Sequence, residues 1–425
     1  MKFHRKVLKN GMRVITVPMK DTENVTVMVL VEAGSEYENK KNNGISHFLE
    51  HMCFKGTLKR PTAKIISHEL DSIGAESNAF TGSEYTGYYA KAHQSHLSKL
   101  VEIVSDVYLN STFPEKEIEK EKGVVVEEIN MYEEMPQHKT ERLLYELLYP
   151  DQPAGFEIAG TRENVRKFSR QDLISYRKDH YVSKATVLVI AGRVDNKILP
   201  TVEEAFSAIS KGLKKGKKKT TVSQRRPQLK VHHTKGDQTH IRLAFRSFNR
   251  FDKRWSKALI LGSVLGGGMS SRLFQKMRED LGLCYYISAG NRFSIDHGTF
   301  VISCGVAKGR EREAVAAILE EIKKIRIDPL DEIELKKAKD YRIGRMFLGL
   351  ESSDDLADYF GFQEIYKEKI ITPKNWANIV KKVTAKDIQK VAQEIFQNSG
   401  MNLVMAGPVK NSRQFLPLLK VTGAR

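Results

Sequence analysis

The apolar and polar positions of this chain fall into short runs whose period changes from segment to segment. Val14–Val17 and Val25–Glu32 alternate or run continuously apolar, as strands do. Glu76–Ala90, with Phe80, Tyr85, Tyr88 and Tyr89, reads as an aromatic-rich strand pair broken at Thr81-Gly82-Ser83. His96–Asn110 carries the spacing of an amphipathic helix, and Pro114–Tyr132 that of a longer one. Gly298–Gly305 then reads as a strand and Glu311–Ile325 as a helix, in the same order. Strands and helices come in mixed runs rather than strict alternation. That predicts an α+β fold: two duplicated domains, each a mostly antiparallel sheet with helices packed on one face.

The duplication is visible in the residues. Val165–Val194 aligns with Val380–Val409 without a gap. Ser169 meets Thr384, Asp172 meets Asp387, and Ala191-Gly192 meets Ala406-Gly407. Each copy has a hydroxyl that caps a helix and an acid three residues later that suits the helix's positive end. The helix then leads to a β-rich run, Val187–Ile190 or Leu403–Met405, that stops at a glycine. One large offset means a doubled domain, not a solenoid.

Charge locates the boundary. The chain has 425 residues, 40% of them apolar and 29% charged, which fits a folded protein of two or three domains. Its net charge of +18 invites a nucleic-acid reading. Yet residues 211–230 hold seven lysines and two arginines and no acid, half of that excess. The segment reads as a solvated, mobile tether, and no nucleic-acid motif accompanies it. The expected division is 1–210, a basic linker at 211–230, and 231–425. No apolar run approaches a membrane span, so no membrane partner is expected. The start of the chain has no apolar signal core, and Cys53, Cys284 and Cys304 are scattered. Both features point to a reducing cytoplasm.

The chemistry concentrates in His47-Phe48-Leu49-Glu50-His51. On a helix, i and i+4 share a face and i+3 lies beside them. Two imidazoles can then share one zinc, with Glu50 placed to take a proton from water. A catalytic zinc needs a third protein ligand, and Glu128 is the candidate. Glu121 lies two turns earlier on the same predicted helix face and could orient a ligand histidine. Glu127 points elsewhere. The bland alternative is an amphipathic helix with ordinary histidines.

With these residues the chain resembles the pitrilysin-type inverzincins, zinc metallopeptidases. It is most similar to their short members, such as the β-subunit of the mitochondrial processing peptidase and bacterial processing-peptidase-like zinc proteases. The match runs from Gly44-Ile-Ser-His47 through His51 to Lys55-Gly56-Thr57, with the distant Glu128. The resemblance implies that His47, His51 and Glu128 bind one zinc, that Glu50 is the base, and that Glu121 supports a ligand. Asn78-Ala79-Phe80-Thr81 is similar to the family's edge strand, where a peptide adds as a further strand. Arg278 and Tyr285 resemble the family's arginine-tyrosine pair. Arg278 would hold substrate carbonyls or carboxylates and Tyr285 would donate to the oxyanion. Tyr286, on the opposite strand face, is the less favoured tyrosine. The second half has Ser270–Phe274 where the zinc motif would fall, which implies one zinc per chain. One departure is Tyr149–Gly160, which lacks the histidine-proline-leucine stretch of many relatives.

The resemblance implies a zinc-dependent endopeptidase that cleaves unfolded peptides in an enclosed chamber, working as a homodimer. The rival is a non-catalytic scaffold or assembly subunit on the same fold.

Overall fold

The computed structural model of the chain describes residues 2–366 and 369–421, so the last four residues of the expected second domain lie outside the described residues. The chain forms two compact units, and they are not the contiguous halves. Unit 1 holds 1–130, 156–218 and 347–372; unit 2 holds 131–155, 219–346 and 373–425. Among the described residues no helix is long and apolar enough to cross a membrane.

Unit 1 contains a six-stranded sheet. Its strands are β1 (His4–Val7), β2 (Arg13–Pro18), β3 (Asn24–Val31), β4 (Glu76–Thr81), β5 (Thr86–His93) and β6 (Thr186–Gly192). Their order is β1-β2-β6-β3-β5-β4, antiparallel except for the parallel pair β2–β6. Unit 2 contains β7 (Gln228–His233), β8 (Gln238–Arg246), β9 (Cys284–Phe293), β10 (Gly298–Ala307) and β11 (Met401–Gly407), in the order β7-β11-β8-β10-β9. Among the described residues its parallel pair, β7–β11, joins the first strand to the last. Remove β1 and the two sheets have the same connectivity, so the duplication read from Val165–Val194 and Val380–Val409 extends to the whole sheet. The paired caps are present as well. Ser169 with Asp172 and Thr384 with Asp387 both form reciprocal capping boxes.

In unit 1 the main helical layer packs on one face. Phe48, Leu49 and Met52 of the helix Ile45–Cys53 and Leu100, Val101 and Val104 of the helix Leu97–Asn110 share a core with Val27, Val29, Tyr88 and Ala90. The sheet's other face is apolar as well: β6 is buried at every position, and so is β3 after Asn24. A helix from the far half of the sequence, Ser353–Tyr366, covers that face. Gly361 permits the approach, because a Cβ there would lie 2.7 Å from Leu30 Cδ1 and 3.0 Å from Val189 Cγ2. Unit 2 mirrors this with a helix from the first half, Pro136–Leu148. Its Leu144 and Leu148 pack with Ala244, Val301 and Val404. Each fully buried aliphatic side chain of this kind contributes about 1.5–3 kcal/mol.

The basic segment departs from the expected solvated tether. Lys217 donates to Glu36 at 2.5 Å and lies 3.7 Å from Glu84, and all three side chains are nearly buried. Lys214 pairs with Glu32, which is also buried. Lysines have long apolar stems, and a run of them can pack wherever carboxylates have already been taken out of water. Lys214 and Lys217 are therefore tied to unit 1, while most side chains of 211–218 remain exposed.

Candidate metal centre

The motif helix Ile45–Cys53 begins at Gly44, whose φ of 99° favours glycine. A Cβ there would also meet Ala159 O at 2.7 Å and Gly160 Cα at 2.8 Å. The helix's first N–H groups need acceptors, and a buried carboxylate supplies them. Glu38 accepts from Gly44 N–H at 2.7 Å, from Ser46 N–H at 2.8 Å and from Asn43 Nδ2 at 2.9 Å. Burial raises the Glu38 carboxyl above its usual range in spite of these donors. Ile45, Phe48, Leu49 and Met52 face the core, which leaves His47, Glu50 and His51 on the opposite side.

His47 and His51 bring their Nε2 atoms within 3.3 Å of each other. The helix Glu115–Glu134 brings Glu128 to them, with its Oε2 3.7 Å from His47 Nε2 and 3.6 Å from His51 Nε2. Glu121 lies two turns earlier on that helix and holds His51 Nδ1 at 2.9 Å; its other oxygen accepts from Lys55 Nζ at 2.6 Å. A carboxylate only accepts, so His51 Nδ1 carries the proton. In the neutral ring Nε2 then offers a lone pair to the space shared with His47 and Glu128. Two imidazole nitrogens and one carboxylate oxygen thus converge as acceptors, all within 4.8 Å of one another. That is the donor set of a zinc site with an open fourth position. Among the described residues, unit 2 by itself has no such group of three.

The electrostatics agree. Burial, helped by the charge of His51, pushes His47 down to about 3, so its ring is neutral at neutral pH. Burial works against protonating His51, but the hydrogen bond to Glu121 and the charges of Glu50, Glu121 and Glu128 outweigh it and raise its pKa. Positive charge is thus favoured at His51 and disfavoured at His47. Burial would raise Glu121, yet its hydrogen bonds with His51 and Lys55 leave it below the usual carboxylate value. Glu50 is raised by burial, with a hydrogen bond from the Thr81 hydroxyl at 2.8 Å pulling the other way.

Thr81 ends β4, an edge of the sheet. Alternation along β4 sorts the sequence candidates by face. Ala79 packs into the core beneath the motif helix, on the same face as Thr81. The Phe80 ring points the other way. It lies 6.0 Å from both Tyr85 and Phe362, above Gly87, where a Cβ would meet it at 2.2 Å. The Phe80 side chain is therefore away from the metal-binding atoms. Asn78 turns its Oδ1 onto the Ala79 N–H at 2.9 Å.

In unit 2, Arg278 and Tyr285 sit together. The Arg278 guanidinium donates to the Tyr285 carbonyl at 3.0 Å and lies over its ring at 4.9 Å. Tyr285 is 78% exposed on the edge strand β9, whereas Tyr286 is tied to His240 at 2.9 Å. Arg278 occupies a π-helical turn, Gln275–Asp280.

Three residues have a role at the site that the sequence reading does not assign. Thr81 was within reach, since period two puts it on the face opposite Phe80. Lys55 belongs to the quoted motif, but its partner Glu121 lies on another helix. Glu38 caps a helix that starts seven residues after it, and no local signature marks that.

Comparison with known proteins matches most of the chain in two consecutive segments. Residues 13–162 match the family described as insulinase, peptidase family M16, and residues 167–341 match the peptidase M16 inactive domain. The uncharacterized zinc protease YmxG of Bacillus subtilis is 33% identical over 92% of this chain and 95% of its own length. An uncharacterized zinc protease of Rickettsia bellii is 33% identical over 96% of this chain and 98% of its own. A crystal structure of a protease from Helicobacter pylori superposes with a TM-score of 0.89 at 22% identity, covering 95% of this chain and 99% of that one. The chain belongs to peptidase family M16, the insulinase family.

Proposed function

We propose that this protein is a zinc-dependent endopeptidase that cleaves unfolded peptides, with His47, His51 and Glu128 holding one zinc per chain and Glu50 as general base. What carries the reading is one juxtaposition: three converging acceptor atoms beside a half-buried carboxylate, at the open edge of a sheet. When bound, the ion would polarise a peptide carbonyl and lower the pKa of a water molecule.

The chain's own residues do the rest. Glu121 keeps His51 in the tautomer that presents Nε2. Glu50 has one oxygen held by Thr81, which leaves Oε1 to accept a proton from the attacking water. Burial raises its carboxyl, and this suits a group that must hold that proton and return it to the leaving amine. The edge strand β4 supplies backbone groups for an extended peptide. Such a peptide must be free of its own pairing, which selects unfolded chains. We further propose a homodimer with an enclosed chamber in which Arg278 and Tyr285 of one copy serve the zinc of the other, Tyr285 donating to the oxyanion.

Glu50→Gln should keep zinc and lose turnover of an unstructured peptide, while His51→Ala and Glu128→Ala should lose zinc. Wild-type turnover in Glu50→Gln would refute the assignment. Zinc binding without any Glu50-dependent hydrolysis in the wild type would leave the scaffold reading in its place. Mixed Glu50→Gln and Tyr285→Phe subunits should regain activity on exchange; exchange without recovery would rule out the shared site.

A further inference from the structure

The end of β4 is held unusually firmly for an edge strand. Gly82 N–H donates to Tyr85 O at 2.8 Å, which closes a tight turn. That turn is clamped from outside. Glu36 N–H donates to Ser83 O at 2.8 Å and Ser35 N–H to Gly82 O at 3.4 Å, while Thr86 Oγ1 donates to Ala33 O at 2.9 Å. Gly34 is needed for this contact, since a Cβ there would lie 2.3 Å from Gly82 O. The turn that follows Thr81 is thus fixed by the 33–36 segment.

Its side chain and backbone face two different tasks. The turn hydrogen bond sets the alternation along β4. Residues 80 and 78 turn their backbone groups to β5, and residues 81, 79 and 77 turn theirs to the open edge. The Ala79 N–H, capped by the Asn78 side chain rather than by β5, fits this phase. The Thr81 hydroxyl meanwhile donates to Glu50 Oε2, the only hydrogen bond of that carboxylate among the described residues. Without it, Glu50 has two free side-chain torsions beyond Cβ and nothing to fix the plane of its carboxylate.

We propose that Thr81 is a positioning residue that ties the base to the substrate strand. One residue fixes the Glu50 carboxylate plane through its hydroxyl and presents edge backbone groups to the bound peptide, so the base and the scissile bond share a single anchor. This rests on the reading of Glu50 as the base. A misplacement of about 1 Å is enough to cost a large factor in rate, which is why such an anchor matters.

The test compares Thr81→Val, which keeps the β-branched shape and loses the donor, with Thr81→Ser, which keeps the donor. Thr81→Val should lower kcat about ten- to hundredfold with KM within about twofold. Thr81→Ser should return kcat to within about threefold of wild type. Zinc affinity, read by competition with a chromogenic chelator, should not change in either. Thr81→Ala, which cannot overfill the site, must behave as Thr81→Val does, and it decides the matter if the valine variant folds poorly. An unchanged kcat in Thr81→Ala overturns the proposal. So does a loss confined to KM, a loss of zinc, or a serine variant as slow as the valine one. Glu50→Gln run alongside separates the two readings. If it turns over normally, the base assignment itself fails. If it is dead while Thr81→Ala is fast, only the anchor fails.

Discussion

Arg60 is fully buried, and its loss should destabilise unit 1 by about 2–4 kcal/mol. Its guanidinium donates to Asp106 at 2.7 Å, to Glu102 at 2.9 Å and to Glu69 at 3.0 Å. These three acids do not weigh equally. The side chains of Glu69 and Glu102 are 28% and 35% exposed, so each pair is worth about 1 kcal/mol at most. Asp106 is 6% exposed and would be left buried with one charge and no cation. It keeps hydrogen bonds from Thr57 Oγ1 at 2.6 Å and Asn110 Nδ2 at 2.9 Å, which holds the cost below that of a bare ion. Arg60→Met fills much of the same volume, so the loss is electrostatic rather than a cavity. Both tryptophans, Trp255 and Trp376, belong to unit 2. Indole fluorescence therefore follows unit 2, while far-ultraviolet circular dichroism follows both units. In a urea titration Arg60→Met should advance the dichroism transition and leave the fluorescence transition much less affected. The pH dependence has a definite sign. Burial would raise Glu102, but Lys59 and Arg60 hold it down to about 2. A depressed carboxylate stabilises the fold above its unfolded value of 4.5, and that contribution is lost as pH falls towards 2. The gap between wild type and variant should accordingly narrow below about pH 4.5. A dichroism transition that coincides with wild type at pH 7 would refute the argument. Arg60→Met with Asp106→Leu should recover part of the loss, since the stranded charge is then gone.

Two further outcomes follow from single contacts. Glu121→Gln removes the charge that orients His51 and should weaken zinc binding about 10–100-fold in a chelator competition; unchanged affinity would remove Glu121 from the site. Asp358 is pushed up to about 6 by burial, with the charges of Asp354 and Asp355 adding to it. A raised carboxyl opposes folding once ionised, so stability falls as pH rises from about 4 to 6. Asp358→Asn should stabilise unit 1 by about 1–3 kcal/mol at pH 7 and by nothing below about pH 4, read as thermal midpoints across that range; a constant difference would sink the idea.

The parts of this molecule written in local signals were legible. The histidine pair on one helical turn, the capping boxes at Ser169 and Thr384, and the glycine-ended strands each depend on residues a few positions apart. The convergence of Glu128 and Glu121 on His51 was legible only because their spacing along one helix matched a known pattern. What escaped the sequence is written over long range. Lys214 and Lys217 lie in a run that looks solvated, and only the fold shows the buried carboxylates they meet. The helices Pro136–Leu148 and Ser353–Tyr366 look like members of their own halves, because helical periodicity says that a face is buried but not against which sheet.

That exchange of helices bears on how the chain can be made. A ribosome releases the β1–β6 sheet long before residues 353–366 exist, and until then one apolar face of that sheet has no cover. Unit 1 therefore cannot close as a vectorial, first-synthesised domain, as most N-terminal domains do. It must wait for residues 353–366, holding an exposed apolar surface that invites aggregation or chaperone capture. The same logic makes the basic segment a poor place to divide the gene. A cut there would give two fragments, each carrying the helix that the other needs.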